Sequence, residues 1–90
     1  MEVNYKIRYL EEVVRKHIPN LSSSAKTIIK RAIEERLVVD PIAFGKPLQY
    51  SFKGHRRLRV GDYRVVYRIE VETNTVIIVA IKHRRDVYDS

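Results

Sequence analysis

Hydrophobic and polar residues alternate most regularly between Gly54 and Arg68. Two runs with this alternation flank Gly61-Asp62, a pair typical of a two-residue hairpin turn. Directly opposed hairpin residues share a face, so one face is predicted to be apolar and the other basic. The apolar face comprises Leu58, Val60, Tyr63, Val65 and Tyr67, and the basic face comprises His55, Arg57, Arg59, Arg64 and Arg68, with Val66 among them. Like charges crowded in this way cost stability, which indicates an anionic partner such as a phosphate backbone.

The first half of the chain predicts one strand and two helices. Residues 3–9 alternate as a strand with one wet face, and apolar residues then recur at helical spacing from Leu10. The first helix is expected to stop near His17, because Pro19 disfavours helical backbone at the residue before it. Ser22, Ser23 and Ser24 offer N-caps for the second helix, which ends before Asp40-Pro41. Its predicted buried residues are Ala25, Ile28, Ile29, Ala32, Ile33 and Leu37.

The second half predicts a loop, the hairpin and a last strand. Residues 40–54 hold prolines and glycines typical of a loop, in which Phe44 and Phe52 either pack or line an RNA groove, with packing expected. Residues 75–81 are apolar on both faces, so this strand is expected inside the sheet. The predicted fold is α+β, a single domain over residues 1–90 in β-α-α-β-β-β order. Two N-terminal helices pack on one face of a mainly antiparallel four-stranded sheet.

Composition narrows the possible functions. The chain has a formal net charge of +7, most of it in residues 46–90, which hold ten basic and five acidic side chains. Cysteine is absent, which excludes disulfides, thiolate nucleophiles and cysteine-ligated zinc. No apolar run reaches the roughly 18 residues of a membrane span, so a cytoplasmic location without membrane contact is expected. Scattered histidines and acids predict no metal site, and Gly45-Lys46 lacks the glycine pattern of a phosphate-binding loop.

Several short motifs, taken in order, resemble one family. They are Asp40-Pro41, then Gly45-Lys46-Pro47-Leu48, then residues 57–67 with the sequence RLRVGDYRVVY, and finally residues 83–88 with the sequence HRRDVY. Together with the order of elements, they make the chain similar to toxins of the RelE/ParE superfamily from toxin–antitoxin pairs, in particular the RelE-like messenger-RNA interferases. The resemblance covers nearly the whole chain and implies the RelE-like microbial RNase fold.

The resemblance implies a function and partners. RelE-like toxins of type II systems cut messenger RNA in the ribosomal A site by attack of a ribose 2′-hydroxyl, which inhibits translation and needs no metal or cofactor. The implied partners are a cognate antitoxin, the ribosome and messenger RNA, with operator DNA bound only through the antitoxin complex. Two alternatives stay open: a ParE-like toxin that inhibits gyrase, and a catalytically inactive binding module with the toxin fold.

The resemblance also implies site residues. The catalytic candidates are His55, Arg57, Arg64, Arg84 and Tyr88. The further RNA-binding candidates are Lys53, Arg56, Arg59, Arg68, His83 and Arg85. Arginine keeps its proton and its planar fork fits phosphate, so the arginines are expected to stabilise charge. His55 or His83 is expected to transfer protons near neutral pH, whereas His17 is expected to pack. Tyr88 either stacks on a base or assists proton transfer.

Overall fold

The computed structural model describes residues 4–48 and 54–86. Strand β1 (Lys6–Tyr9) leads into a helical turn that continues as a π-helical segment, Val13–His17. Helix α1 (Ser23–Ala32) is followed by a second π-helical segment, Ile33–Leu37, and then by the short helix α2 (Pro41–Phe44). The strands that follow are β2 (Lys46–Pro47), β3 (His55–Val60), β4 (Tyr63–Glu70) and β5 (Thr75–His83), and a 3-10 turn spans Arg84–Asp86.

The sheet has five strands in the order β1-β5-β4-β3-β2. Strand β1 runs parallel to β5, and all other neighbours are antiparallel. The predicted fold class is confirmed, and β5 lies inside the sheet as expected from its apolar sequence. The expectation of four strands misses β2, a two-residue edge strand within the segment predicted as a loop. None of the helices in the described ranges is long and apolar enough to cross a bilayer.

The helical layer covers one face of the sheet and encloses the core. Ser22 caps α1, since its Oγ accepts the N–H of Ala25 at 3.1 Å. The first helical stretch ends at His17 as predicted, although Ile18 before Pro19 keeps helical backbone angles, φ −65° and ψ −44°, so the expected effect of Pro19 on Ile18 is wrong. The core joins helical residues to alternate strand residues: Val13, Ile29, Ala32, Ile33, Leu37, Leu58, Val60, Val65, Tyr67, Val76, Ile78 and Ile81. The predicted burial of Ile28 is wrong, because Ile28 is 56% exposed on the outer side of α1.

An irregularity in β5 keeps its apolar residues in phase with the core. Val66 lies opposite Ala80, but the next residue, Tyr67, lies opposite Ile78, so Val79 is an extra residue in β5. Ile78 and Ile81 therefore both face the helices although they are three residues apart. Beside this bulge, His17 Nδ1 accepts the backbone N–H of Ile81 at 3.1 Å. Besides the packing expected for it, His17 thus makes a hydrogen bond that connects the first helical stretch to the sheet.

A buried hydroxyl fixes α2 on the sheet. Tyr67 Oη donates a hydrogen bond to the carbonyl of Pro41 at 2.6 Å. The Arg56 guanidinium donates to the carbonyls of Ile42 and Gly45, at 2.7 and 2.9 Å. Burial raises the pKa of Tyr67, which keeps its hydroxyl protonated as a donor. A Cβ at Gly45 would overlap the Tyr67 hydroxyl, so this close approach needs glycine.

Replacing Tyr67 with Phe tests the contribution of this hydroxyl. Tyr67→Phe leaves the Pro41 carbonyl without its donor, and we expect the free energy of unfolding to fall by about 1–3 kcal/mol. Urea unfolding measures the change, and Tyr9→Phe, at a residue that is 38% exposed, is the matched control. Equal stabilities of the two variants would show that the hydroxyl does not hold α2.

The hydrogen bond of His17 predicts a dependence of stability on pH. Burial, with a smaller effect of Lys82, lowers the pKa of His17 below its ordinary value of 6.5. The unfolded chain therefore binds this proton more readily than the folded chain. The contribution of His17 is fully present above about pH 6.5 and is lost as the pH falls towards the lower folded pKa. Urea unfolding between about pH 5 and 8 should show a fall in stability on acidification that is smaller in His17→Gln. Parallel pH profiles of wild type and variant would contradict this assignment, since His55 and His83 are common to both.

Candidate functional site

The β3–β4 hairpin has the register predicted from the sequence. Val60 lies opposite Tyr63, Arg59 opposite Arg64, and His55 opposite Arg68. Gly61 has a φ of 58°, whereas no positive φ occurs at Asp62, a pattern typical of a type II′ turn. Leu58, Val60 and Val65 are buried against the helices. The basic face, His55, Arg57, Arg59, Arg64 and Arg68, therefore lies on the side of the sheet opposite the helical layer.

The cross-strand register adds three cations to this side of the sheet. Lys82 of β5 lies opposite Arg64, and Lys46 of β2 lies opposite Arg57. Arg8 of β1 and Arg68 both lie opposite Ile77. The alternation of residues 3–9 signalled a wet face at Arg8, but the sequence does not show which strand β1 joins. The positive surface thus extends across the whole width of the sheet.

The middle row of the basic face combines one arginine with two small or apolar side chains. Arg57, Val66 and Ala80 lie side by side on β3, β4 and β5. On one side of this row lie Arg59, Arg64 and Lys82, and on the other lie His55 and Arg68. His55 and Arg59 are four residues apart on β3, which separates their Cα atoms by about 13 Å. The long side chains therefore flank Val66, which is only 9% exposed.

Arg84 joins the basic face at the end nearest the hairpin turn. Its backbone N–H donates to the Asp62 carbonyl at 2.7 Å, which holds the start of the 3-10 turn against the hairpin. Arg59, Arg64 and Arg84 line a cavity of about 210 Å³ together with the turn. The guanidinium of Arg84 lies 3.7 Å from the Asp62 carboxylate, and the two side chains are 78% and 64% exposed. Such an exposed ion pair contributes little stability, so an anionic ligand can replace the carboxylate.

Two residues of the expected RNA-binding set do not lie on the basic face. Arg56 lies opposite Tyr67, on the helical side, where its guanidinium binds the carbonyls of Ile42 and Gly45. His83 lies opposite Tyr63, with the two rings edge to face at 5.0 Å. His83 Nδ1 accepts the N–H of Arg85 at 3.2 Å, and the Arg85 side chain is exposed beside that of Arg84. Arg56 and His83 therefore make contacts that stabilise the fold and lie outside the candidate site.

The remaining candidates fall outside the described ranges. Lys53 and Tyr88 are among the residues that the structure does not describe, as is Phe52 of the loop. Phe44, expected to pack, is half exposed at the end of α2. Within residues 4–48 and 54–86, no three histidine or carboxylate side chains are placed to share a metal ion.

This arrangement suits the chemistry of phosphate esters. Arginine side chains from β3 and β4 converge on one surface, and their guanidinium groups match pairs of phosphate oxygens. A histidine, His55, lies on the same surface beside these arginines. Arg68 lies 3.7 Å from Glu70, with side chains 43% and 41% exposed, so this charge also stays accessible to a ligand.

A match to a protein-family model shows the family to which the chain belongs. Residues 8–88 match the model of the ParE toxin of the type II toxin–antitoxin system parDE. The chain belongs to the ParE toxin family. This family assignment confirms the relationship to the RelE/ParE superfamily that the sequence motifs indicated.

Solved and curated relatives of this ParE-family chain agree with the assignment. The toxin–antitoxin complex RelBE2 of Mycobacterium tuberculosis contains a chain of 31% identity and TM-score 0.84, and the match covers 93% of this chain and 95% of that one. The isolated RelE toxin of E. coli has a TM-score of 0.73 over 96% of this chain and 87% of its own, and at 18% identity it shows the shared fold alone. Toxin RelG of Mycobacterium tuberculosis is 43% identical over 49 residues, 54% of this chain and 56% of that toxin. The alignment thus spans about half the length of this curated relative.

Repulsion within the basic face predicts a gain in stability when one charge is removed. Arg59 and Arg64 lie directly opposite each other, and like charges in this position are destabilising. We expect Arg59→Gln to raise the free energy of unfolding by about 0.2–1 kcal/mol at low ionic strength. Salt should reduce the gain, because it screens exposed charges. Arg31→Gln, at an exposed position of α1, is the matched control for urea unfolding at low and high salt. Loss of stability in Arg59→Gln at low salt would contradict net repulsion at this pair.

Proposed function

We propose that this ParE-family protein is a metal-independent endoribonuclease that cuts messenger RNA in the ribosomal A site and thereby inhibits translation. The observation that carries the proposal is the grouping of His55, Arg57, Arg64 and Arg68 around Val66 on one side of the sheet. A surface that only bound RNA would need positive charge, whereas cleavage also needs a group that moves a proton. His55 provides such a group beside the arginines.

The reacting phosphate occupies the centre of the basic face over Val66. Attack of the ribose 2′ oxygen forms a bond to phosphorus while the bond from phosphorus to the 5′ oxygen breaks. The products are a 2′,3′-cyclic phosphate and a 5′-hydroxyl end. Arg57 and Arg64 stabilise the charge that accumulates on the phosphorane oxygens, since guanidinium groups remain protonated throughout. Arg84 clamps the adjoining phosphate from the end of the hairpin.

His55 accepts the 2′ proton in this scheme. It shares the side of the sheet with Arg57 and Arg64, whereas His83 lies on the other side and uses Nδ1 to accept a backbone N–H. The leaving 5′ oxygen also needs a proton, and Tyr88 stays the candidate for that donation or for stacking on a base. The ribosome supplies the remaining orientation of the RNA, which explains why isolated protein would cut free RNA slowly.

A cognate antitoxin is the proposed protein partner. The RelBE2 relative was solved as a toxin–antitoxin complex, and the match covers 93% of this chain. An acidic segment of the antitoxin covers the basic face or lies beside it, which blocks access of RNA. Operator DNA is bound through the antitoxin in this proposal, and the location is the cytoplasm, where ribosomes are found.

The family match favours a second candidate function. The matching family model is that of the ParE toxin, and inhibition of gyrase is the activity of the ParE-like alternative considered above. The grouping of arginines with His55 favours RNA cleavage, because the gyrase-inhibiting branch generally lacks the basic catalytic set. An inactive binding module is the third candidate, and it predicts that the free protein is harmless when expressed alone.

Replacing Arg64 with Ala tests the proposed cleavage. We expect Arg64→Ala to abolish growth arrest on induction and to remove new messenger-RNA ends within ribosome-bound codons, because the phosphorane loses a charge-stabilising group. A loss of about 10²-fold or more in cleavage rate is expected for one such group. The measurement is end mapping of messenger RNA after induction, alongside the wild-type protein.

Arg31→Ala is the matched control, since Arg31 is an exposed arginine on the opposite layer of the molecule. Circular dichroism and urea unfolding establish that both variants fold. Growth arrest by a folded Arg64→Ala protein would overturn the proposal. Intact messenger RNA with broken DNA after induction of wild type would select the gyrase alternative.

A further inference from the structure

A second positive cavity lies at the edge of the sheet, beyond the basic face. Its volume is about 290 Å³, and its lining residues are Arg36, Phe44, Lys46, Arg57, Leu58 and Arg59. Arg59 also lines the cavity that contains Arg64 and Arg84. The two cavities therefore adjoin, and a single extended anion can follow the surface from one to the other.

The edge cavity exists because β2 is short. Lys46 and Pro47 pair with Arg57 and Arg56, and the chain before Lys46 turns away into α2. In the described part of the chain, no strand lies beside β3 at Leu58 and Arg59 on that edge. The opening is bounded on the helical side by Arg36, which follows α1 in the second π-helical segment.

Four cations line the edge cavity without matching acids. Arg36, Lys46 and Arg59 are exposed and Arg57 is half buried. Among the described residues, no carboxylate lies within 4 Å of any of these four charged groups. A concave surface that gathers several cations favours a polyanion and holds it most strongly at low salt.

Phe44 gives this cavity a feature that a simple phosphate site lacks. Its ring is 50% exposed at the end of α2. Helix α2 is nevertheless held firmly, because Tyr67 binds the Pro41 carbonyl and Arg56 binds the carbonyls of Ile42 and Gly45. An aromatic ring on a fixed support, with cations around it, is the usual platform for stacking a nucleic-acid base.

We infer that the edge cavity is a subsite for one unpaired nucleotide of the RNA, next to the step that is cut. Phe44 stacks on its base, and Arg36 and Lys46 hold its phosphate, while Arg57 contacts the phosphate that is cut. This inference rests on the proposed function, since it takes the RNA over Val66 as its starting point. The subsite adds a contact to a base, which can give sequence preference, to a surface that otherwise contacts only phosphates.

Binding of a short RNA tests the subsite without cleavage. The probe is a fluorescein-labelled single strand of about eight 2′-O-methyl nucleotides, which lack the attacking hydroxyl. Fluorescence anisotropy at several salt concentrations measures its affinity. We expect Phe44→Leu to weaken binding about fivefold or more, through loss of one stack. Arg36→Gln should reduce the slope of log affinity against log salt by about 0.7.

The controls keep position and chemistry matched. Ile42→Ala changes an apolar residue of the same short helix that is 57% exposed and does not line the cavity. Arg31→Gln removes one exposed arginine from the same helical layer. An abasic nucleotide moved along the probe identifies the stacked base: one position should weaken binding to wild type but have no further effect in Phe44→Leu.

The outcomes separate the subsite from the nuclease. Affinities of Phe44→Leu and Arg36→Gln equal to those of their controls would overturn the subsite, even if Arg64-dependent cleavage is observed. Weaker probe binding by Phe44→Leu, without new messenger-RNA ends after induction of wild type, would support base stacking at the cavity but overturn the nuclease and the position of the subsite next to a cleaved step. Absence of probe binding to wild type at about 50 mM salt, where phosphate contacts are strong, would overturn the subsite, whereas the nuclease is decided by the end mapping with Arg64→Ala.

Discussion

Burial of one face of the β3–β4 hairpin is the interaction on which the rest of the structure depends. Leu58, Val60, Val65 and Tyr67 enter the core, and the period of two in a strand then forces the arginines to the other side. A shift of one residue in register would bury guanidinium groups and expose the core. The desolvation of those charges would cost far more than their mutual repulsion on an open surface. The core therefore fixes the basic face, although the basic face itself opposes folding.

The hairpin and the second helix were predictable because local chemistry determines them. Gly61-Asp62 fixes the turn, the turn fixes the register, and the register fixes which residues share a face. Ser22 caps α1 as expected, and the first helical stretch ends at His17 as expected. The burial of Ile28 was predicted wrongly, because the buried face of α1 is narrower than the distribution of its apolar residues suggests. Ile28 and Ile29 are neighbours in the sequence, and only Ile29 is buried.

Contacts between distant parts of the chain could not be predicted from the sequence. Nothing in residues 3–9 identifies β5 as the neighbour of β1, so Arg8 could not be assigned to the positive side of the sheet. The strand β2 consists of two residues beside a glycine and a proline, which is too short to produce a periodic pattern. Arg56 reads as one more basic residue in a run of three, yet its partners are carbonyls that α2 brings to it. The missed features share a cause, since each depends on contacts between segments that are distant in the sequence.

The same separation of roles explains how one fold carries different activities. Residues of the core face are constrained by close packing, whereas the side chains of the basic face are partly or fully exposed and lie outside the core. The isolated RelE toxin of E. coli keeps the fold at 18% identity, with a TM-score of 0.73. In this chain the edge strand matters most for such divergence. The junction of Tyr67, Arg56 and Gly45 holds α2 in place from inside the core, whereas Phe44 and Lys46 at its outer end are exposed and lie outside the core. Substitution of these exposed side chains would therefore leave intact the packing that positions the basic face.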